Sequence, residues 1–528
     1  MWDGYPTTAS QLRELLMSSY SHPRANTARE WGTQIVEVRS NNRNGKDRPP
    51  QVVGSSTKPE PKGGAPGCAI LDPIHIPRKS SSTTRMSKST LPIVRFTCAV
   101  LVLLAAQLGA AQSNPSPVGE WLVTLDIFGT PLQQVLTLKS EGGKLTGSMR
   151  GRGRSEIEGT IAGNGVHFVT RQEKETNGEY EGTITADGMS GTAQVFGPKP
   201  ELRIPAKWAA RRVPAITPAP PQRHEFVPTK FHRAFSPFIE PVLHIKSGDS
   251  VHTTTVDAAG KDEKGAARVL GGNPETGPFF IDGALPGDIL KVKLNRVRLN
   301  RDWAGSDDFL VPRAADASLG REMKYEPGEV RWKLDRERGL AMPEKPGEHM
   351  SRFAIPVKPM LGCVATAPGT TGQPVPTGDS GGFGGNMDYN EIGEGAIVYL
   401  PINIAGALLY VGDGHALQGD GELNGNALET SMDVEFTVEV LKDKKLSTPF
   451  VETDQYFEAM ALAGSLDDAF REATGRLTRW LMDEYKLTPS EAAVVMGSSV
   501  EYRISEVADR NAGVVARLRK DRLAMLGR

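Results

Sequence analysis

Acidic side chains and one histidine crowd a glycine-rich stretch in the second half of the chain. Their contexts are Gly384-Gly385-Asn386-Met387-Asp388, Gly412-Asp413-Gly414-His415, Gly419-Asp420-Gly421-Glu422 and Leu428-Glu429. One residue separates Asp413 from His415, so an extended backbone would direct both side chains to the same face. The neighbouring glycines allow tight turns and a close approach of the backbone to a ligand. This spacing predicts a ligand-binding region.

The residue types in this stretch suit a metal ion. An imidazole with carboxylates suits zinc or a related divalent ion, whereas carboxylates and carbonyl oxygens alone suit calcium. The alternative is a set of Asp-Gly turns with a surface histidine, because aspartate is common in turns. We favour the metal site for Asp413, His415 and Glu422 together. Cys363 fits a nucleophile less well, because its apolar neighbours offer no adjacent base.

The sequence predicts that β-strands position these residues. Residues 290–294 and 434–438 alternate apolar and polar side chains, as half-buried strands do. Residues 396–400 are continuously apolar, which predicts a strand covered on both faces. We therefore expect a mainly β fold, a β-sandwich or barrel-like unit, over residues 229–528.

The C-terminal part of this unit changes to helical spacing. One helix face is predicted from Leu466, Phe470, Ala473, Leu477, Trp480 and Leu481. A second helix should begin at Thr488-Pro489-Ser490-Glu491, which combines an N-cap, a proline at the first helical position and a capping-box glutamate. We expect both helices to pack on the β unit.

A smaller module precedes the β unit. Residues 118–213 repeat an apolar-x-Gly-Ser/Thr pattern between glycine turns, which predicts a small antiparallel β accessory domain, either a barrel or a curled sheet. Residues 214–228 are rich in proline and predict a stiff linker.

The N-terminal part of the chain contains a pattern typical of an export signal. Met86 is followed by basic residues, an apolar run and small residues ending at Ala111, which predicts a signal peptide over 86–111. An anchor retained at the N-terminus is the alternative. Residues 1–85 show no sustained hydrophobic period, so we expect a disordered leader or a stretch upstream of the true translation start. The mature chain should be exported, periplasmic or extracellular, without stable membrane association after cleavage.

Charge and cysteine content narrow the classes of partner. Lys plus Arg number 62 and Asp plus Glu number 63, a formal net charge of −1. This balance gives no reason to expect a nucleic-acid partner. Cys68 and Cys98 precede the predicted cleavage point and leave Cys363 alone. A metal ion would therefore be held by His, Asp, Glu or backbone oxygen rather than by a thiolate cluster.

The motifs together resemble the acetamidase/formamidase family from about residue 224 to 515. The resemblance is carried by residues 384–388, 400–402 and 412–422, by the upstream segments 232–236, 242–249, 256–258, 276–278 and 282–288, and by 502–505 near the end. It implies a β-rich hydrolase that cleaves the C–N bond of a small linear amide, such as formamide or acetamide, to a carboxylate and ammonia.

The resemblance also implies a site wider than the glycine-rich stretch. It makes His232, Asp257, Asp388, Asp413, His415 and Glu422 the candidates for the site. Among them we assign His232, Asp388, Asp413 and His415 as ligands of a divalent ion, zinc in preference to calcium, and Glu422 and Asp257 as the catalytic residues. A larger exported amide as substrate and a homo-oligomeric state stay open. The alternative function is an exported, non-catalytic binding protein in which the same carboxylates hold a structural calcium ion.

Overall fold

The computed structural model describes residues 115–528, except 152, 198, 200, 217, 218, 324–327, 370–372, 443, 445 and 528. The predicted leader, 1–85, and the predicted signal peptide, 86–111, lie outside the described residues. Within the described part, no helix has the length and apolar character needed to cross a membrane.

Eight antiparallel strands form a closed barrel at the start of the described chain. They are β1 (Gly119–Ile127), β2 (Thr130–Glu141), β3 (Lys144–Arg150), β4 (Arg154–Ala162), β5 (Gly165–Gln172), β6 (Glu175–Ile184), β7 (Met189–Phe196) and β8 (Arg203–Arg212). Gly142 and Gly143 connect β2 and β3. Both have positive φ, 56° and 83°, as the two central residues of a type I′ hairpin turn require. Strands β1 and β8 pair and close the barrel.

The barrel interior is a packed aromatic core. The rings of Phe168 and Tyr180 stack with centroids 4.7 Å apart. Trp208 meets both rings edge-on, at 5.9 and 6.1 Å. Its indole N–H donates to the backbone oxygens of Glu181 and Thr192, so its polar edge is satisfied. A core filled in this way favours a structural module over a ligand-carrying barrel.

Polar and apolar contacts join the barrel to the rest of the chain. Arg150 donates to Asp288 Oδ1 at 2.7 Å and to the Pro286 carbonyl at 3.0 Å. Gln133 Oε1 accepts from the Ala405 backbone N–H at 2.8 Å. The described residues from 115 onward accordingly belong to one compact unit. The division at 213 and 228 stays a prediction, and part of the predicted linker forms a strand, Arg223–Glu225.

Beyond the barrel, the chain forms two large sheets and two small ones. The six-stranded sheet has the order β11-β13-β24-β19-β22-β21, and the nine-stranded sheet the order β28-β29-β27-β26-β23-β14-β25-β12-β9. The strands are β9 (Arg223–Glu225), β10 (Ala234–Phe235), β11 (Leu243–Lys246), β12 (Ser250–Thr254), β13 (Thr276–Asp282), β14 (Ile289–Leu299), β15 (Trp303–Asp307), β16 (Glu329–Asp335), β17 (Leu340–Pro343), β18 (Ile355–Pro356), β19 (Met360–Ala365), β20 (Val375–Pro376), β21 (Ser380–Gly381), β22 (Gly384–Asn386), β23 (Ile397–Pro401), β24 (Leu409–His415), β25 (Met432–Leu441), β26 (Phe450–Glu452), β27 (Tyr456–Ala463), β28 (Glu501–Ile504) and β29 (Ala512–Arg519).

The main hydrophobic core draws residues from both large sheets. Phe279 of β13 meets Phe436 of β25 edge-on at 5.3 Å. Strand β25 alternates buried and half-buried side chains, as its sequence predicts. Strand β23 also alternates, so the continuous cover expected from its apolar run is found on one face only. This core fixes β24, the strand that carries Asp413 and His415.

Four α-helices occur among the described residues: α1 (Leu319–Glu322), α2 (Leu466–Tyr485), α3 (Pro489–Ser499) and α4 (Lys520–Leu523), and a 3₁₀ helix spans Glu348–Met350. The capping box at Thr488 and Glu491 is present. Helix α2 buries Ala473, Leu477 and Leu481 as predicted. Phe470 is 46% exposed and lies against Tyr502, because the buried stripe runs through Ala469 instead. The predicted fold class, mainly β with C-terminal helices and a small N-terminal β module, is confirmed.

His252 lies between two carboxylates, and this arrangement predicts that the free energy of unfolding depends on pH. His252 Nδ1 lies 2.5 Å from Glu225 and Nε2 lies 2.6 Å from Asp433, so both ring nitrogens can donate when the ring is charged. The Glu225 hydrogen bond raises the pKa of His252 above its usual 6.5, against a smaller opposing effect of burial. Its contribution should therefore be full below pH 6.5 and fall as pH rises through the raised value.

We expect His252→Gln to lower the free energy of unfolding by about 1 kcal/mol or less below pH 6.5, because the pair is partly exposed. The difference should shrink as pH rises. Urea unfolding of both proteins from pH 5 to 9 measures it, with the exposed His349→Gln as control. A difference that grows with pH would contradict the assignment.

Candidate metal centre

The buried strand β24 ends at the candidate site. All of its residues from Leu409 to His415 are buried, between β13 on one side and β19 on the other. Asp413 has φ of 51°, so the backbone turns there and simple strand alternation does not hold. His415 Nε2 nevertheless lies 3.4 Å from Asp413 Oδ2. The pair predicted from spacing is together, through a local turn rather than an extended segment.

His415 has a defined orientation and tautomer. Its Nδ1 lies 2.9 Å from Gln418 Oε1. The Gln418 amide nitrogen donates to the backbone carbonyls of Asp388 and Ser505, at 2.5 and 3.0 Å, and those carbonyls can only accept. The Gln418 oxygen must therefore face the ring, so Nδ1 carries a proton that it donates. In the neutral ring, Nε2 then presents its lone pair to the site.

Three carboxylates converge on that nitrogen. His415 Nε2 lies 3.2 Å from Glu429 Oε1 and 3.9 Å from Asp388 Oδ1, in addition to Asp413. Two sets of ligand atoms each lie within 4.8 Å of one another: Asp388 with His415 and Glu422, and Asp413 with His415 and Glu429. Asp388, Asp413, His415 and Glu422 are buried, and the side chain of Glu429 is 12% exposed. They offer one nitrogen and several carboxylate oxygens to a common space.

Several buried atoms in this space lack a hydrogen-bond partner among the described residues. They are Asp388 Oδ1, Asp413 Oδ1, His415 Nε2 and Glu429 Oε2. Leaving one such polar atom buried and unpaired costs about 1–3 kcal/mol, and more for a charged group. The concentration of unpartnered acceptor atoms at one place therefore indicates a cation or protons between them.

The pKa shifts of the cluster also indicate that it needs positive charge. Burial raises the pKa of Asp388 and of Glu422 well above their usual range, and neighbouring carboxylates raise both further. Burial raises the pKa of Glu429 to about 7. Burial lowers the pKa of His415, but Glu429 and Asp413 together raise it more, so its pKa lies well above 6.5. Each shift reduces the net negative charge, which a divalent cation would also do.

Two asparagines tie the carboxylates into one network. Asn273 Nδ2 donates to Asp413 Oδ2 at 3.3 Å and to Asn386 Oδ1 at 3.0 Å. Asn386 Nδ2 donates to Asp388 Oδ2 at 2.5 Å and to Asp509 Oδ2 at 2.7 Å. An amide can donate to a carboxylate and accept from another amide at once, so it orients acidic groups without neutralising them.

Backbone strain concentrates at this site. Asn273, Asp388, Asp413 and Glu422 have φ of 50°, 41°, 51° and 47°, in the left-handed region that side chains other than glycine rarely adopt. Each such residue costs on the order of 1–3 kcal/mol and persists because the surrounding structure holds it. Strain collected at one group of polar residues is typical of a functional site.

Gly362 of β19 makes room for the two aspartates. A Cβ at this position would lie 2.4 Å from Asp388 Oδ1 and 2.5 Å from Asp413 Oδ2. Every other residue type would push at least one carboxylate away, so the site depends on a glycine here.

Two residues assigned from the family resemblance, His232 and Asp257, belong to neither of the two ligand sets. His232 is half-buried, and its backbone pairs with Glu275. Asp257 forms a buried ion pair with Arg301 at 2.7 Å and accepts from the Lys261 N–H at 2.8 Å. Arg301 also donates to the Glu429 carbonyl at 3.2 Å, so Asp257 acts on the cluster through Arg301.

Sequence reasoning missed other members of the site. Glu429 belongs to the acidic stretch but has no role assigned from sequence, and its isolated pairing with His415 emerges only from the fold. Asn273 and Asp509 come from distant segments with no spacing signal. Burial raises the pKa of Cys363 well above its usual range, which keeps the thiol protonated and disfavours it as a nucleophile.

The chain is similar in sequence and fold to known acetamidases and formamidases. The model of the acetamidase/formamidase family matches residues 373–515, which include the whole acidic stretch. A crystal structure of a predicted acetamidase/formamidase from Thermoanaerobacter tengcongensis is 30% identical, with a TM-score of 0.50 over 58% of this chain and 98% of that one. An acetamidase structure from Bacillus halodurans is 26% identical, with a TM-score of 0.51 over 58% of this chain and 100% of that one.

A curated relative agrees over a shorter region. A candidate formamidase of Schizosaccharomyces pombe is 27% identical over 32% of this chain, and the match spans about half (52%) of that protein's length. The solved structures, in contrast, are covered almost completely. The shared fold and the family motifs agree, and the chain belongs to the acetamidase/formamidase family.

Proposed function

We propose that this protein is a metal-dependent hydrolase that cleaves the C–N bond of a linear amide to a carboxylate and ammonia. The observation that carries the proposal is the fixed orientation of His415. Gln418 holds its Nδ1, so Nε2 faces Asp413, Glu429 and Asp388 in a buried space. The relatives named as acetamidase or formamidase support an amide as the substrate.

The donor set fits a divalent cation, and zinc fits best. Asp388, Asp413, His415 and Glu429 would hold the ion, because each has a buried atom with no partner among the described residues. An imidazole nitrogen favours zinc, whereas an all-oxygen set would favour calcium. Since the two ligand sets share His415, the metal-to-protein ratio shows whether one or both are used. A bound divalent ion polarises a carbonyl and lowers the pKa of bound water to roughly 7.

Glu422 is our choice for the proton carrier. It takes a proton from the water whose oxygen bonds to the amide carbon, and it returns this proton to the nitrogen as the C–N bond breaks. Its pKa lies above the usual range because it is buried among acids, which suits a group that must both take up and release a proton. The Ala427 N–H donates to Glu422 Oε1 at 3.0 Å and fixes the carboxylate.

Metal removal tests the proposed function directly. The purified protein should contain a divalent metal and should release ammonia from formamide or acetamide. A chelator should abolish turnover, and zinc should restore it. Ammonia release and elemental analysis measure both properties. A calcium-only protein inactive on a panel of amides would favour the binding-protein alternative.

Replacing the histidine tests the ligand assignment. We expect His415→Ala to lower metal affinity more than about 100-fold, since even an outer hydrogen-bond partner is worth 10–100-fold. His349→Ala, at an exposed histidine, is the matched control. Full metal content in His415→Ala would refute the assignment.

Replacing the glutamate separates proton transfer from metal binding. Glu422→Gln keeps the size and one acceptor oxygen but cannot carry the proton. We expect turnover to fall about 10²–10⁴-fold with metal retained. Unchanged turnover would exclude Glu422 as the base, whereas loss of metal together with activity would make it a ligand.

Adding one methyl group tests the space at the site. Gly362→Ala should displace Asp388 or Asp413 and lower metal affinity at least about tenfold, while far-UV circular dichroism stays unchanged. Gly464→Ala is the control, because a Cβ there meets no atom within 4 Å. Wild-type metal affinity in Gly362→Ala would show that the cluster does not need this space.

A further inference from the structure

The loop between β28 and β29 reaches the metal centre from the C-terminal end of the chain. Val507 N–H donates to the Gly421 carbonyl at 2.9 Å, and Gly421 N–H donates back to Ile504 at 3.0 Å. On the other side, Arg313 donates to the carbonyls of Asp509 and Arg510, at 3.0 and 3.3 Å. The loop is therefore held from two sides, next to Glu422.

Asp509 is the member of this loop that meets the acidic cluster. Its Oδ2 accepts at 2.7 Å from Asn386, whose same amide nitrogen also contacts Asp388. Asp388 and Asp413 are buried, but Asp509 is half-buried. Asp509 is thus more exposed than Asp388 and Asp413, the two aspartates to which the asparagines connect it.

The charges around Asp509 leave its carboxylate uncompensated by a basic side chain among the described contacts. Arg510 forms an ion pair with Asp379 at 3.0 Å. Arg313 donates to the backbone carbonyls of Asp509 and Arg510 rather than to the Asp509 carboxylate. Burial raises the pKa of Asp509 to about 6, whereas the hydrogen bond that Asn386 donates to it favours the ionised form. Behind it lies the buried Glu506, which has an unpartnered Oε1.

We propose that Asp509 faces the substrate and selects amides that carry no negative charge, so that neutral and cationic linear amides are the substrate class. This inference rests on the proposed amide hydrolysis. A substrate carboxylate would approach a fixed carboxylate in a partly buried place, where like charges repel more strongly than in water. A neutral or cationic group meets no such repulsion.

Three primary amides of different charge test the inference, and the variants below separate charge from size, because malonamate has a carboxylate where propionamide has a methyl group. They are glycinamide, propionamide and malonamate, whose second groups are cationic, neutral and anionic at pH 7. We expect kcat/KM for malonamate at least about tenfold below that for propionamide. The gap should narrow at high salt because the charges near the opening are screened.

Variants assign this preference to Asp509. Asp509→Asn removes the charge and keeps an acceptor oxygen, and it should raise the malonamate-to-propionamide ratio about tenfold. Asp509→Glu should keep the wild-type ratio and covers the case in which the asparagine variant folds poorly. Asp467→Asn, at a helix position with an 84% exposed side chain, is the charge-matched control and should change nothing.

The outcomes separate this inference from the proposed function. A wild-type enzyme that hydrolyses malonamate as well as propionamide contradicts the inference alone. An unchanged ratio in Asp509→Asn, or a lost preference in Asp509→Glu, also overturns it. A metal-loaded wild-type protein that is inactive on all three amides contradicts the proposed function, and the inference falls with it.

Discussion

The convergence of Asp388, Asp413 and Glu429 on one imidazole nitrogen is the constraint from which the rest of the site follows. Asp388 and Asp413 are buried, and the side chain of Glu429 is 12% exposed. Gln418 prevents the ring of His415 from turning its other nitrogen to them. Buried acids facing a lone pair repel one another unless positive charge lies between them. A bound cation would supply this positive charge. Without a cation, protons must reduce the negative charge instead, and the raised pKa values of Asp388 and Glu429 reflect this.

The surrounding fold holds this arrangement against its own repulsion. The core between the two large sheets fixes β24, and Gly362 on the next strand leaves space for two carboxylates. Asn273 and Asn386 connect the acids through amide groups that do not neutralise them. The Asp257–Arg301 pair holds the segment that carries Glu429. The left-handed backbone at four site residues shows that packing outweighs local preference there.

Sequence pattern predicts the parts of this structure that are local. The alternation in β25 and the capping box at Thr488 depend on neighbouring residues, and both are present. The pairing of Asp413 with His415 is also local, although the backbone achieves it by a turn rather than by alternation. The apolar spacing predicts Phe470 in the buried stripe of α2, yet the sheet on which this helix packs determines which face is buried.

The non-local parts could not be predicted from spacing. The buried ion pair of Asp257 with Arg301 joins residues that are 44 positions apart along the chain. Asp509 lies 123 positions from Asn386, its partner, and belongs to a loop whose sequence shows no metal motif. Such contacts depend on the order of strands in a sheet, which a single sequence leaves undetermined.

X-ray absorption spectroscopy of the purified protein at the metal edge tests the central claim most directly. We expect zinc with oxygen ligands and at least one imidazole nitrogen at about 2.0–2.1 Å, and loss of the imidazole contribution in His415→Ala. A metal shell made of oxygen alone, or a spectrum that His415→Ala leaves unchanged, would contradict it.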